Sequence, residues 1–439
     1  MSRITLLPKD DKTNGWSAVL PPRSPRPKLI GDETADFVVI GAGFAGLGAA
    51  RRLGELRPDA RIVVLDGQQL GVGASGRNSG FAIDLPHNVG SSLEELAKGN
   101  AYMRLARAGI AALHDSVKRH GIDCDWHAAG KYHTATSAQG ARDVLRPTVA
   151  ELEQLGEAYE WLDAEQTAQR LGTHHFSASV YTPGTVLLNP AALNRGLGEN
   201  LPENVTLYEN SPILDADFGD MITLRSAEGS IRAPKAVLAV NGLAMRFGFW
   251  QGKLLNFAAH ASITRQLTEA EQASIGNIAP WGSTPANAFA GITMRYTNDR
   301  RILIRQNIHF CPSLRQSDAR RQRIRADHQR LFDERFPRLR GVTMEHTWTG
   351  FICLSRNGAP GFGKVAPNVW SAVCQNAVGV AKGTISGRLA ATMAAGEDDP
   401  LISDMLSLGS PTSLPPRPFL DLGVRGRFAY ELFANRHEA

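Results

Sequence analysis

Two glycine-rich segments hold the residues whose types and spacing point to chemistry. The first, Gly41-Ala-Gly43-Phe44-Ala45-Gly46, directly follows the apolar run 37–40. The second reads Gly71-Val-Gly73-Ala74-Ser75-Gly76-Arg77-Asn78-Ser79-Gly80. Gly41 lets the chain turn tightly, Gly43 lets main chain approach a pyrophosphate, and Gly46 lets the next helix pack on its strand. That helix, with Phe44 and Ala45 at its mouth, points free amides and the positive end of its dipole at the phosphates. Asp66, beside Gly67, closes the next apolar run, 62–65. Its carboxylate suits ribose hydroxyls and disfavours a 2′-phosphate. The first segment implies a dinucleotide. The two together imply a flavin, and therefore redox chemistry. A plain glycine-rich turn in an α/β protein fits less well, because a strand, a helix and an acid all stand where a nucleotide site needs them.

Further candidates follow along the chain. Ala239-Val-Asn241-Gly242 ends a strand and is expected to cover the adenosine, or to be a simple strand-to-loop turn. Pro212 and Ile213 are expected against adenine, with ordinary strand packing as the other reading. Gly379, Val380, Lys382, Gly383 and Thr384 lead into a helix whose amides and dipole can stabilise negative charge on the pyrimidine edge of a reduced flavin. Lys382 adds charge there, or sits on a solvated helix start. Substrate is expected where the strand-rich middle of the chain meets the flavin. Arg295 and Arg305 are candidates for a carboxylate; His260, His309, Tyr296 and Trp348 are candidates for walls around an amine. For each, a structural role (surface arginine, satisfied histidine, core aromatic) stays open.

The elements that must position these residues can be read coarsely. Residues 1–35 are rich in proline and read as an extended arm. Residues 36–90, 187–245 and 345–400 are expected to assemble one discontinuous dinucleotide-binding domain. Segments 91–186 and 246–344 are expected to build a substrate or cap domain, and 401–439 a tail. Periodicity predicts helices over 91–120, 149–161, 190–199, 315–335 and 426–435. The fold class is therefore α/β with an α+β substrate region: a Rossmann-like FAD-binding domain interleaved with a strand-rich substrate domain.

Composition narrows the function class. A net charge of +5 is too small and too dispersed to argue for nucleic acid, and suits an anionic cofactor. The four cysteines form no CxxC pair, so neither zinc nor a disulfide framework is expected, and a reducing, cytoplasmic setting fits. No transmembrane segment and no secretory signal are expected. The arginine-rich run 315–335 reads as a solvated helix face.

The order of motifs resembles the D-amino-acid-oxidase-like family of FAD-dependent oxidoreductases, of the glycine/sarcosine oxidase type. Gly73-Ala-Ser-Gly-Arg-Asn78, Trp348-Thr-Gly350, Gly358-Ala-Pro360, Val378-Gly379-Val380 and Gly387-Arg388-Leu389 carry the likeness. The resemblance implies that Ser75, Arg77 and Asn78 meet the pyrophosphate or flavin edge, with Arg77 able to clamp phosphate bidentately. It also places Gly350 and Pro360 on the flavin. Arg305 and Lys364 are its candidates for a basic residue that assists oxygen. Where many members read Gly-His-Gly, this chain has Ala377-Val378-Gly379. Where some read Gly-Gly-Gln, it has Ser79-Gly80-Phe81, and Phe at 81 predicts non-covalent FAD. The implied reaction oxidises the C–N bond of an amine or amino acid, of the γ-glutamyl amine or N-alkyl amino acid type. Hydride passes to flavin N5 and the imine hydrolyses, with O₂ or an electron carrier as acceptor and an oligomer allowed. A flavoenzyme acting on C–OH bonds is the second reading, and a flavin-binding protein without turnover the third.

Overall fold

Phe37–Ile40 and Ile62–Leu65 are apolar throughout and buried on both faces, as strands of a parallel sheet enclosed between layers must be. The computed structural model describes residues 2–86, 93–287 and 290–438. It places these strands within a six-stranded sheet ordered Val205–Tyr208, Ile62–Leu65, Phe37–Ile40, Lys235–Leu238, Val369–Val373, Gly361–Ala366. The first five run parallel and the last antiparallel. Helices Phe44–Leu56 and Ala381–Ala395 cover one face, burying Leu47, Leu53, Ile385 and Leu389. They touch backbone to backbone: a Cβ at Gly48 would lie 2.6 Å from Thr384 O, and one at Gly387 1.8 Å from Ala45 O. This close approach brings the N-termini of both helices to the same end of the sheet.

A five-stranded sheet covers the other face, burying Val38, Ile40, Val63 and Leu65 against Ile222, Leu224 and Ile231. The expected arm is stitched into it. Gly31–Thr34 pairs with Gly229–Ala233 at one edge, and Ser2–Arg3 pairs with Asp215–Ala216 at the other.

The second unit is an eight-stranded sheet. Its order is Met344–Ser355, Leu254–Thr264, Ile302–Phe310, Thr293–Tyr296, Trp281–Pro285, Lys131–Ala135, Ala178–Thr182, Glu160–Asp163. Helix Asp318–Arg335 closes its outer face through Ile324, Leu331 and Phe332. The inner face looks toward the second glycine segment.

Several predicted elements differ in detail. The helix expected over 149–161 runs Arg146–Leu155; Gly156, at φ +71°, ends it, and Glu160–Asp163 becomes an edge strand. The tail helix is longer than expected, Phe419–Ala434. The long helix spans Leu93–His120; residues 91–92 and the expected boundary at 90 lie outside the described residues.

Candidate functional site

The glycines do what their spacing requires. Gly41 sits at φ +99°, and a Cβ there would lie 2.7 Å from Ala239 O. At Gly46 a Cβ would stand 1.7 Å from Gly41 O. The two segments are then locked together by side chains. Ser75 Oγ accepts from Phe44 N at 3.0 Å, and a Cβ at Gly43 would meet it at 2.7 Å. Asn194 donates to Ala42 O at 3.1 Å and accepts from Gly71 N at 2.6 Å. Asp66 accepts from Ala42 N at 2.6 Å through one oxygen and from Gln68 N at 2.8 Å through the other. Burial, with Glu209 nearby, raises its pKa to about 6.

A cavity of about 230 Å³ opens along these elements. Of the predicted cofactor residues, Gly41, Gly43, Asp66, Gly67, Gly73, Ala74, Ser75, Arg77, Ile213, Ala239, Asn241 and Gly242 line it. Phe44, Ala45 and Gly46 form the first turn of the helix behind it, and Gly76 packs on Gly71 O. The cleft therefore runs from Pro212 and Ile213 across the glycine turn. Asn256 also lines it, and its Oδ1 is buried without a partner in the chain. An orphan polar atom in a glycine-floored cleft with an acid at one end fits the adenosine and diphosphate of FAD.

The remaining predicted cofactor residues lie off this cavity. Asn78 donates to Ser75 O at 2.7 Å and accepts from Gly80 N at 2.9 Å, so it shapes the loop containing Ser79. Trp348 donates its indole N–H to Arg77 O at 2.9 Å, Trp16 donates to Asn78 O at 2.8 Å, and Arg295 donates to Gly80 O at 3.2 Å. Gly350 packs on Arg77, and Pro360 is buried beyond the cavity. Gly379, Val380, Lys382, Gly383 and Thr384 lie at the mouth of the second helix. Gln375 is packed beside Gly379 and Gly383, and its Oε1 is unpartnered. Lys382 is buried rather than solvated; its Nζ lies 5.2 Å from the centre of the Tyr102 ring, and desolvation lowers its pKa to about 8.

Arg77, expected at the pyrophosphate or flavin edge, lines the cleft and is held within the chain. Its guanidinium donates to Val72 O at 2.7 Å, Thr349 O at 3.1 Å, Asp10 at 3.1 Å and Asp11 at 2.8 Å. Two of these partners are carboxylates supplied by the N-terminal segment.

The expected substrate cluster of His260, Tyr296, Arg305 and Trp348 does not form. Directly paired residues share a face of a sheet. Trp348, Ala261, Arg305 and Thr293 stand in one row, whereas Thr349, His260 and Gln306 stand in the next. His260 therefore points outward, with Ser262, which bonds His328 of the covering helix at 2.8 Å. His260 Nδ1 pairs with Thr349 Oγ1 at 2.9 Å, and Nε2 lies 3.4 Å from His309. Burial, then the neighbouring His309 and His328, push its pKa down to about 3, so it is neutral. Tyr296 is buried on the same outer side with Trp281 and Ile302. Trp348 is fully buried, its ring 6.3 Å from that of Trp16, and acts as core. Lys364 is exposed on an edge strand, with its Nζ 5.5 Å from the centre of the Trp370 ring.

Arg305 alone of the four keeps a place suited to substrate. It faces inward and donates to Thr293 Oγ1 at 2.6 Å, and burial lowers its pKa to about 10. The inner face adds two groups that sequence reasoning missed, Lys131 and His133. Burial brings them to about 8 and about 3, and His133 Nε2 lies 3.1 Å from Pro285 O. Their signal was present: Lys-Tyr-His alternates in an otherwise apolar strand. Asn194 was also legible, as a polar residue on the apolar side of its helix. Asn256, Arg315 and Thr349 on the cleft wall gave no local sign.

A Rossmann-type, mainly parallel sheet with its cleft, beside a separate mixed and mainly antiparallel sheet, has the architecture of a flavoenzyme. The family model "DAO: FAD dependent oxidoreductase" matches residues 36–393, and the chain belongs to that family. It is an FAD-dependent oxidoreductase. It is 23% identical over 420 residues to a probable oxidoreductase OrdL of Haemophilus influenzae, covering 94% of each chain. It is 24% identical over 384 residues to gamma-glutamylputrescine oxidoreductase of Escherichia coli, covering 83% of this chain and 84% of that one. Glycine oxidase from Geobacillus kaustophilus shares its fold, with a TM-score of 0.71 at 18% identity, over 88% of this chain and all of that one. No helix among the described residues is long and apolar enough to cross a membrane.

Proposed function

We propose that the chain oxidises the C–N bond of an amine or amino acid that carries a carboxylate. The division into a discontinuous FAD domain (36–90, 187–245, 345–400) and a cap (91–186, 246–344) belongs to this reading. The observation that carries it is the cationic inner face of the cap, where the half-buried Arg305 and the buried Lys131 lie on the side turned to the second glycine segment. A half-buried guanidinium attracts and orients a carboxylate, because bringing the two charges together offsets the desolvation of each. An ammonium cannot release hydride, so the substrate nitrogen must lose a proton. Lys131, brought by burial to about 8, is the inner-face group whose free amine can accept one, whereas His133, near 3, is too weak a base to hold it. When bound, FAD supplies the two-electron acceptor. The relatives named for γ-glutamylputrescine and glycine support a nitrogen-bearing substrate. FAD is held without a covalent bond: position 81 is Phe, no cysteine lines the cleft, and Cys353 is buried beside Cys374.

Anaerobic titration of the holoprotein with a panel of γ-glutamyl amines, N-alkyl amino acids, plain amino acids and hydroxy acids tests the reading. Bleaching of the flavin by a carboxylate-bearing amine is the expected result. Bleaching by a hydroxy acid and by no amine would transfer the assignment to C–OH oxidation.

A further inference from the structure

The cofactor cleft has a wall that lies outside the residues matching the family. Ile4, Leu6, Leu7, Pro8, Lys9 and Asp11 all line it, whereas the family match begins at residue 36. We propose that residues 4–13 form a strap that closes over the bound FAD and holds it in the cleft.

The strap is hinged at both ends. At its start, Ser2–Arg3 adds a strand beside Asp215–Ala216, Ile4 N donates to Leu214 O at 2.7 Å, and the Ile4 side chain is buried in the core. At its end, the Asn14 side-chain amide donates to Gly71 O at 3.0 Å and Gly76 O at 2.9 Å, which ties it to the second glycine segment. Between these anchors the chain crosses the cleft with few main-chain bonds to the rest of the molecule. Arg315 holds Leu7 O at 2.9 Å.

The middle is latched by charge. Asp10 and Asp11 meet Arg77 at 3.1 and 2.8 Å, and Asp11 meets Arg321 at 3.3 Å. Arg77 is nearly buried, with its side chain 7% exposed, while Asp10 and Asp11 stay partly exposed. Arg321 also meets Asp318, so three carboxylates face the two guanidiniums of the latch. Lys9 and Arg315 are then the further cations on the cleft wall, and Lys9 is brought there by the strap itself. The arrangement gives the arginine-rich helix 318–335 a task beyond a solvated face.

The cleft can empty or fill only when the strap swings aside, so the latch should govern the rate of FAD exchange. Three forms of the holoprotein test this: the full chain, a chain lacking residues 1–11, and the double variant Asp10→Asn/Asp11→Asn. Free flavin fluorescence after dilution reads the release rate. Release about tenfold faster in the truncated form and severalfold faster in the double variant is expected, with the full chain releasing faster as salt rises. Equal rates in all three forms would overturn the strap. Should the truncated chain fail to fold, trypsin cleavage after Lys9 and Lys12 of the full chain decides: FAD should protect both sites, and equal cutting with and without FAD would overturn the proposal. Faster release in the altered forms, together with no amine oxidation by the full chain, would count against the proposed substrate class and leave the strap untouched.

Discussion

The cofactor cleft and the inner face of the cap do comparable work by different means. The cleft is made largely of main chain. Its floor is a glycine turn and helix mouths, and its side chains, Ser75, Asp66 and Asn194, mostly hold backbone amides and carbonyls in place. The larger sheet instead gathers side chains from distant strands, and its half-buried Arg305 and His133 and buried Lys131, His260 and His328 all have pKa values shifted by desolvation. Main-chain recognition needs only local spacing. Side-chain recognition needs the right face of the right strand, and one residue of register reverses it.

The largest effect should come from the glycine turn. Gly46→Val puts a side chain where a Cβ already stands 1.7 Å from Gly41 O, so the protein should purify without flavin and take up none on titration. Normal flavin content would break the claim that the cleft is a main-chain device. On the cap, Arg305→Met should leave flavin content unchanged and lower kcat/KM by roughly 10- to 100-fold, the value of a hydrogen bond to a charged group. Most of the loss should appear in KM. An unchanged KM for carboxylate-bearing amines would remove Arg305 from the substrate site.

The two regions should also answer pH with opposite signs. Asp66 has its folded pKa raised to about 6. Its folded form binds more protons than the unfolded chain, so its contribution to stability declines as pH rises through about 4 to 6. Above 6 the ionised carboxylate becomes the ribose acceptor. Affinity for FAD should therefore weaken on acidification below about pH 6, by up to about tenfold per pH unit, and Asp66→Asn should flatten that dependence. His260 and His328 have folded values near 3. Their stabilising contribution is present above about pH 6.5 and is lost as pH falls, by about 1 kcal/mol per pH unit each. His328→Gln should shallow the acid side of the thermal stability profile; an unchanged slope would mean that these histidines are not neutral in the folded protein. Smallest of all, Tyr296→Phe should leave kcat within about twofold, because the ring is core on the outer face; a large loss would restore it to the active site.

The sequence readings divide along the same line. Gly41, Gly43, Asp66 and Gly73 to Ser75 line the cleft, since each acts within its own turn. The helix at 381–395 was legible for the same reason. Trp348 and His260 were misjudged. Aromatic and imidazole side chains serve cores and active sites equally well, and alternation along an unpaired strand does not say which face turns inward. Arg77 shows the limit most clearly. Its place in the glycine motif was evident, yet its partners lie in a stretch 66 residues earlier and a strand 272 residues later.

What the sequence determined by itself was a flavin dinucleotide cleft on a parallel sheet, because glycine spacing, a helix mouth and a terminal acid act through the backbone over a few residues. The tertiary structure alone decided which cations face the flavin side of the cap, which histidines are sealed away, and that an N-terminal strap meets Arg77. Those outcomes depend on strand register and on chain segments brought together from opposite ends of the sequence, where no local pattern can specify the partner.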